Sequence, residues 1–136
     1  IKAIPLVLKK HPNVVFKFVG NPAASPHPKM LMDEYIKSKL SHYLANIEIT
    51  AAIPHKEISA LFTEGQIFIF PSVFDNFPLV CLEAMAAGRA VIGSSSGGMA
   101  EIIEENVSGL LVAPKAYQDL ASKICRLIED ETLRIT

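Results

Sequence analysis

The chain has 136 residues, enough for one domain. Thirteen basic against fourteen acidic side chains leave a net charge of −1, a balance that argues against nucleic acid as a main partner and marks no polybasic membrane patch. Half of the residues are apolar and a fifth are charged, so the chain is too hydrophobic to stay disordered and long enough to bury a core.

The longest stretches without a charged side chain, Phe18 to Pro28 and Ala90 to Ala100, run 11 residues each. A membrane-spanning helix needs about 20 apolar residues, so none is expected. Cys81 and Cys125 both fall in apolar helical patterns. They read as reduced core residues of an intracellular protein rather than a disulfide framework. Ile1 follows no Met or signal peptide, and the chain reads as a piece of a longer protein, truncated at its N-terminal side.

In chain order, Ile1 to Lys10 reads as the end of a helix, with Pro5 sitting awkwardly inside it. Strands are expected at Val14 to Val19, Ile47 to Thr50, Ile67 to Phe70, Ala90 to Ile92 and Gly109 to Val112. The last three are continuously apolar, as suits strands covered on both faces, while Lys17 and Glu48 interrupt the first two. Asn21 to Pro28, with three prolines, is a surface loop. Helices are expected at Lys29 to Leu44, Lys56 to Thr63, Pro78 to Ala87, Ala100 to Glu105 and Tyr117 to Glu129. The last is amphipathic, with Leu120, Ala121, Ile124, Leu127 and Ile128 on one face. Strands alternating with helices imply an α/β fold: a Rossmann-like parallel sheet of about five strands with helices on both faces.

Ligands of open parallel sheets sit beyond the carboxyl ends of the strands. The segment after Phe70 is the richest there. Asn76 is a turn former, Pro78 suits the first helical position, and Gly88 is a helix stop. The free amides near Leu79 and Val80 offer an anion site. Glu83 is the sole charge in an otherwise apolar helix. Such a carboxylate either lies at an exposed edge, pairs with a nearby cation, or accepts hydrogen bonds from a ligand such as a diol. Asp75 by itself is ordinary turn chemistry.

Asp75, seven intervening residues, then Glu83-Ala84-Met85-Ala86-Ala87-Gly88 resembles the signature of the family 4, or group 1, retaining glycosyltransferases of GT-B fold. Val19-Gly20, Ile53 to Leu61, Phe70-Pro71-Ser72, Gly97 to Ile103 and Asn106 to Pro114 fit the same family in order, so the resemblance covers almost the whole chain. It implies a single nucleotide-sugar-binding Rossmann-like domain over residues 1–136, the C-terminal donor half of the enzyme.

The resemblance also assigns roles. Glu83 binds the ribose hydroxyls. Asp75 stands where the family usually has Glu, contacts the donor sugar near its anomeric centre and is the catalytic candidate. Backbone amides of Phe77, Leu79 and Val80 receive the phosphates, beside Asn76 and a Pro78 where Gly is common. Gly97 and Gly98 let backbone approach the donor, although read from the residues alone they are equally a simple turn. The base is expected near Ala52 and Ile53, and His27 and His55 at the solvent edge. The donor is a UDP-, GDP- or ADP-sugar, a substrate rather than a cofactor. No cofactor or metal is expected, since there is no Asp-x-Asp and no His/Cys grouping.

The family's basic pair for the diphosphate, and the acceptor domain, would lie before Ile1. The fragment alone is therefore expected to be inactive. The parent would work in polysaccharide or related glycan synthesis, cytoplasmic or peripheral at the membrane through its N-terminal half. Two other readings stay open: a non-catalytic nucleotide-sugar-binding module, and another GT-B member such as a sugar-nucleotide epimerase. A dinucleotide-binding domain is disfavoured because Val19-Gly20-Asn21-Pro22 is no G-x-G-x-x-G.

Overall fold

Side-chain alternation separates the strands of this chain into two kinds, and the fold follows from that difference. The computed structural model describes residues 1–20, 25–71 and 79–135. Within it the chain forms two compact units, Ile1–His55 and Lys56–Thr136.

In the first unit, α1 (Ala3–Lys10) leads to β1 (Phe16–Val19), α2 (Met32–Lys39), a 3₁₀ segment (Ser41–Asn46) and β2 (Ile47–Thr50). β1 and β2 pair in parallel, Phe16 opposite Ile47 through Val19 opposite Thr50. Both strands alternate half-buried and exposed residues. Phe16, Phe18, Ile47 and Ile49 turn to a core built with Ile4 and Leu8 of α1 and Ile36 and Leu40 of α2. Lys17 and Glu48 face each other on the exposed side. The charges that interrupt these strands are thus the solvent face of a half-covered sheet.

Two expected helices change shape here. Pro5 is accommodated because α1 starts at Ala3. Its missing N–H therefore falls in the first turn, where no helical acceptor exists. The helix expected over Lys29 to Leu44 shortens to α2. At its front, the amide of His27 donates to Ser25 Oγ (3.0 Å) and that of Lys29 to His27 Nδ1 (3.2 Å), forming a turn instead of a helix. Glu34 Oε2 then accepts the Leu31 amide at 3.1 Å. At its end, Leu40 leaves helical geometry and the chain tightens into the 3₁₀ segment.

In the second unit, α3 (Ile58–Glu64), β3 (Ile67–Phe70), α4 (Leu79–Ala86), β4 (Ala90–Ser94), α5 (Met99–Ile102), β5 (Leu110–Val112), α6 (Tyr117–Glu129) and α7 (Glu131–Ile135) follow in order. The sheet runs β3-β4-β5, all parallel. One face carries Phe68, Phe70, Val91 and Leu111 against Phe62, Cys81, Ala84, Met99 and Ile103, which bring α3, α4 and α5 onto the sheet. α6 packs on β4 and β5. Its buried stripe is Ala121, Ile124, Cys125 and Leu127, close to the stripe expected from the sequence. These are the apolar strands covered on both faces. The five expected strands therefore all form, but among the described residues their ladders make a two-stranded and a three-stranded sheet.

Gly88 ends α4 as expected. It takes φ 69°, the Arg89 amide donates to Ala84 O (3.0 Å) and its own amide to Met85 O (2.9 Å). This is a Schellman cap. Gly88→Ala should lower stability by about 1–2 kcal/mol, read as a lower urea midpoint with an unchanged slope. Arg89→Ala, which keeps the cap's backbone bonds, should not reproduce the cap's share of that loss.

Candidate functional site

The site is assembled at the carboxyl ends of β3 and β4, where two helices start on the same face of the sheet. α4 is pinned by Cys81 and Ala84, both 0% exposed and three residues apart, which fixes one side of the helix on the sheet. Leu79 and Val80 form its first turn and remain exposed. Their amides have no acceptor four residues earlier within the helix. Glu83 lies on the flank of α4, half-buried, with Oε2 shielded from solvent. Of the three readings the sequence leaves open, a fully exposed edge is the one this placement disfavours. Asp75, Asn76, Phe77 and Pro78, together with the rest of residues 72–78, lie outside the described residues.

α5 begins beside α4 because β3 and β4 are neighbours and both helices share the Cys81, Ala84, Val91 and Met99 core. The turn into it is built by serines. Ser94, 4% exposed, is the buried polar side chain at the end of β4. Its Oγ lies 2.8 Å from Ser96 Oγ and accepts the Ser96 amide at 3.3 Å, while the Ser95 amide donates to Val112 O at 2.8 Å. Gly97 follows at φ 68°, a conformation that favours glycine, and Gly98 is the buried residue before α5. Close packing beneath explains Gly93: a Cβ there would meet Ile103 Cδ1 at 2.6 Å and Met99 Sδ at 2.9 Å.

Glu83, Leu79 and Val80 on α4 and Gly97 and Gly98 before α5 thus all lie in the second unit. Ala52 and Ile53, expected near the base, follow β2 in the other unit. His27 and His55 are exposed, as expected.

The loop after β5 is one of the ligand-edge loops, but the sequence assigns none of its residues a role. There the chain makes a turn with Lys115 at φ 65°. A shallow pocket of about 140 Å³ opens at the carboxyl ends of the three strands, lined by Phe70, Pro71, Ser94, Lys115, Tyr117 and Leu120 among others. Pro114 directly after an apolar strand was the available signal. Ser94 belongs to both places, with its hydroxyl in the serine turn and its position on the pocket wall. Among the described residues no group of three His, Cys, Asp or Glu side chains could hold a metal, and no helix is long and apolar enough to cross a membrane.

This arrangement of a lone carboxylate on α4 and a glycine turn before α5 coincides with a family-wide match. The sequence profile described as "Glycosyl transferases group 1" matches residues 1–130. The chain belongs to the group 1 glycosyltransferases. It is 34% identical over 120 residues to the N,N'-diacetylbacillosaminyl-diphospho-undecaprenol alpha-1,3-N-acetylgalactosaminyltransferase of Campylobacter jejuni, covering 88% of this chain and 29% of that protein. The crystal structure of the C-terminal domain of the group 1 glycosyl transferase LpcC from Francisella tularensis superposes with TM-score 0.84 at 31% identity, covering 98% of this chain and 68% of that one. HepE from Anabaena, solved in complex with UDP and glucose, shares the fold with TM-score 0.79 at 24% identity, over 99% of this chain and 36% of that one. The fold is that of the C-terminal domain of GT-B glycosyltransferases. The chain spans less than a third of the length of the curated relatives it matches.

Gly93→Ala forces a methyl group into the space held by Ile103 and Met99. It should cost about 1–3 kcal/mol, measured by urea unfolding. Pairing it with Ile103→Val, which removes the clashing methyl, should return part of that loss.

Proposed function

We propose that the chain is the nucleotide-sugar-binding, donor half of a retaining glycosyltransferase, and that it has no transferase activity without the acceptor half of the protein. The observation that carries this reading is Glu83, a sheltered carboxylate on the flank of an apolar helix that starts at the ligand edge of a parallel sheet. One carboxylate accepts from two adjacent hydroxyls, as a ribose presents them. The solved relatives support a nucleotide ligand, since HepE is described in complex with UDP and with UDP-glucose.

In this reading Glu83 holds the ribose. The amides of Leu79 and Val80, in the first turn of α4, receive the diphosphate with the positive end of the helix dipole behind them, and the sequence resemblance alone adds that of Phe77. Gly97 and Gly98 admit the donor to close backbone contact, on a turn stiffened by Ser94 and Ser96. Asp75 and Asn76, carried by the sequence resemblance alone, orient the donor sugar. The helix terminus stabilises diphosphate charge as it develops on the departing group, which is catalysis by positioning and fixed dipoles. Retention at the anomeric carbon and a hexosyl donor are part of the proposal, as is membrane-peripheral placement of the whole enzyme.

The test is saturation-transfer NMR of the chain with UDP, GDP and ADP. One nucleotide should bind with its ribose protons nearest the protein. Glu83→Ala should weaken that binding roughly tenfold or more, since hydrogen bonds to a charged group are worth about 1.5–3 kcal/mol. Equal binding by Glu83→Ala, with the ribose signals unchanged, would falsify the assignment.

A further inference from the structure

The near-neutral total charge conceals a sharp partition. Residues 1–55 hold seven lysines against three acidic residues, a net of +4, and the remaining 81 residues hold six basic against eleven acidic, a net of −5. Within the first unit, no acidic residue occurs before Asp33. Asp33 and Glu34 sit in the first turn of α2, and Glu48 lies in the middle of β2.

The topology sorts the lysines further. α1 runs into β1 and α2 into β2, and the strands are parallel. Both helix C-termini therefore lie at the amino edge of this small sheet. Lys9 and Lys10 end α1, and Lys37 and Lys39 end α2. All four are exposed. Asn46 ties the two connections together, its Nδ2 donating to Pro12 O at 2.7 Å and to Val14 O at 2.9 Å. The same edge exposes two large apolar side chains, Val15 at 52% just before β1 and Leu44 at 51% in the 3₁₀ segment that leads into β2.

We propose that this edge, opposite the carboxyl ends of β1 and β2, docks on an anionic lipid bilayer. Lysines would sit among the headgroups and Val15 and Leu44 would enter the interface. Two features favour a bilayer over nucleic acid. The apolar groups between the lysines are aliphatic, where a strand of bases would call for exposed aromatic platforms. Basic side chains flanking solvent-exposed aliphatic ones are also the arrangement that holds proteins to a charged membrane surface. Lysines in a last helical turn also complement the helix dipole, but that accounts neither for the missing acidic residues nor for the exposed Val15 and Leu44. The proposal uses no residue of the donor site, so it stands or falls separately from it.

The experiment is flotation of the chain with vesicles of phosphatidylcholine, with and without phosphatidylglycerol, over a salt series. Binding should require phosphatidylglycerol and fall as salt rises. K9Q/K37Q should weaken it on the order of 25-fold, about fivefold per lysine. K2Q/K29Q removes the same charge from the same unit at the opposite edge, where α1 and α2 begin, and should change binding only a few-fold. Val15→Ser with Leu44→Ser should weaken binding at every salt concentration. All these side chains lie at or near the surface, and unchanged thermal midpoints would show that the variants fold. Equal binding to both vesicle types, or equal losses from the two lysine pairs, would overturn the proposal. So would binding to polyuridylate without binding to either vesicle.

Discussion

The close approach of α4 and α5 to β4 is the constraint on which the candidate site depends. It is made possible by what is missing from the side chains. Cys81 and Ala84 bring α4 down with little bulk between backbone and sheet. Gly93 leaves the space taken by Met99 and Ile103, and Gly109 the space taken by Val91 and Ile103, where a Cβ would approach to 2.7 Å and 3.0 Å. Ile103 thus packs over two strands at positions that cannot carry a methyl group. Both helices are held by this one cluster.

Much of this was legible in the sequence because the second unit is locally consistent. Its strands are short apolar runs, its helix α6 has a clean stripe, and Gly88 stops α4 with the chemistry a left-handed cap requires. The expected segments at Ile47 to Thr50, Ile67 to Phe70 and Tyr117 to Glu129 coincide with the observed elements. The misses have local causes. The front of α2 is lost to a turn held by Ser25 and His27, and periodicity does not register such side-chain competition. The division of the strands into two sheets was not visible either, because pairing order is a long-range property. The interruption of the first two strands by Lys17 and Glu48 is explained only by the fold, where the two residues face each other on the exposed side of the pair.

Of the candidate site, Glu83 stands out in the sequence as the one charge in an apolar helix, with an exposed edge, a cation partner and a ligand all left open. The structure leaves it half-buried with one oxygen shielded, a placement that hydrogen bonds or a cation must compensate. Gly97 and Gly98 were recognisable as a turn, but what holds that turn was not. Ser94 and Ser96 read as an undistinguished polar run, and only the fold shows the first hydroxyl buried and accepting the amide two residues on. The pocket after β5 was missed for a similar reason. Its walls come from three strands and a helix, and no single segment announces it.

Charge had to be read by unit, and the helix dipole explains why averaging hid it. In a parallel α/β unit every helix points its N-terminus toward the carboxyl edge of the sheet and its C-terminus toward the amino edge. Cations are favoured at C-termini and anions at N-termini. α2 follows this pattern, with Asp33 and Glu34 in its first turn and Lys37 and Lys39 in its last. Repeated over two helices with an acid-free α1, the same local preference gathers lysines on one edge of the first unit. Stabilising each helix and building a basic edge are then one design, and a whole-chain sum of −1 cancels it against the acidic residues of the second unit. Helix stability alone would place basic residues there in any environment. The dipole does not account for the exposed Val15 and Leu44 at that edge, and the bilayer proposal rests on their pairing with the lysines.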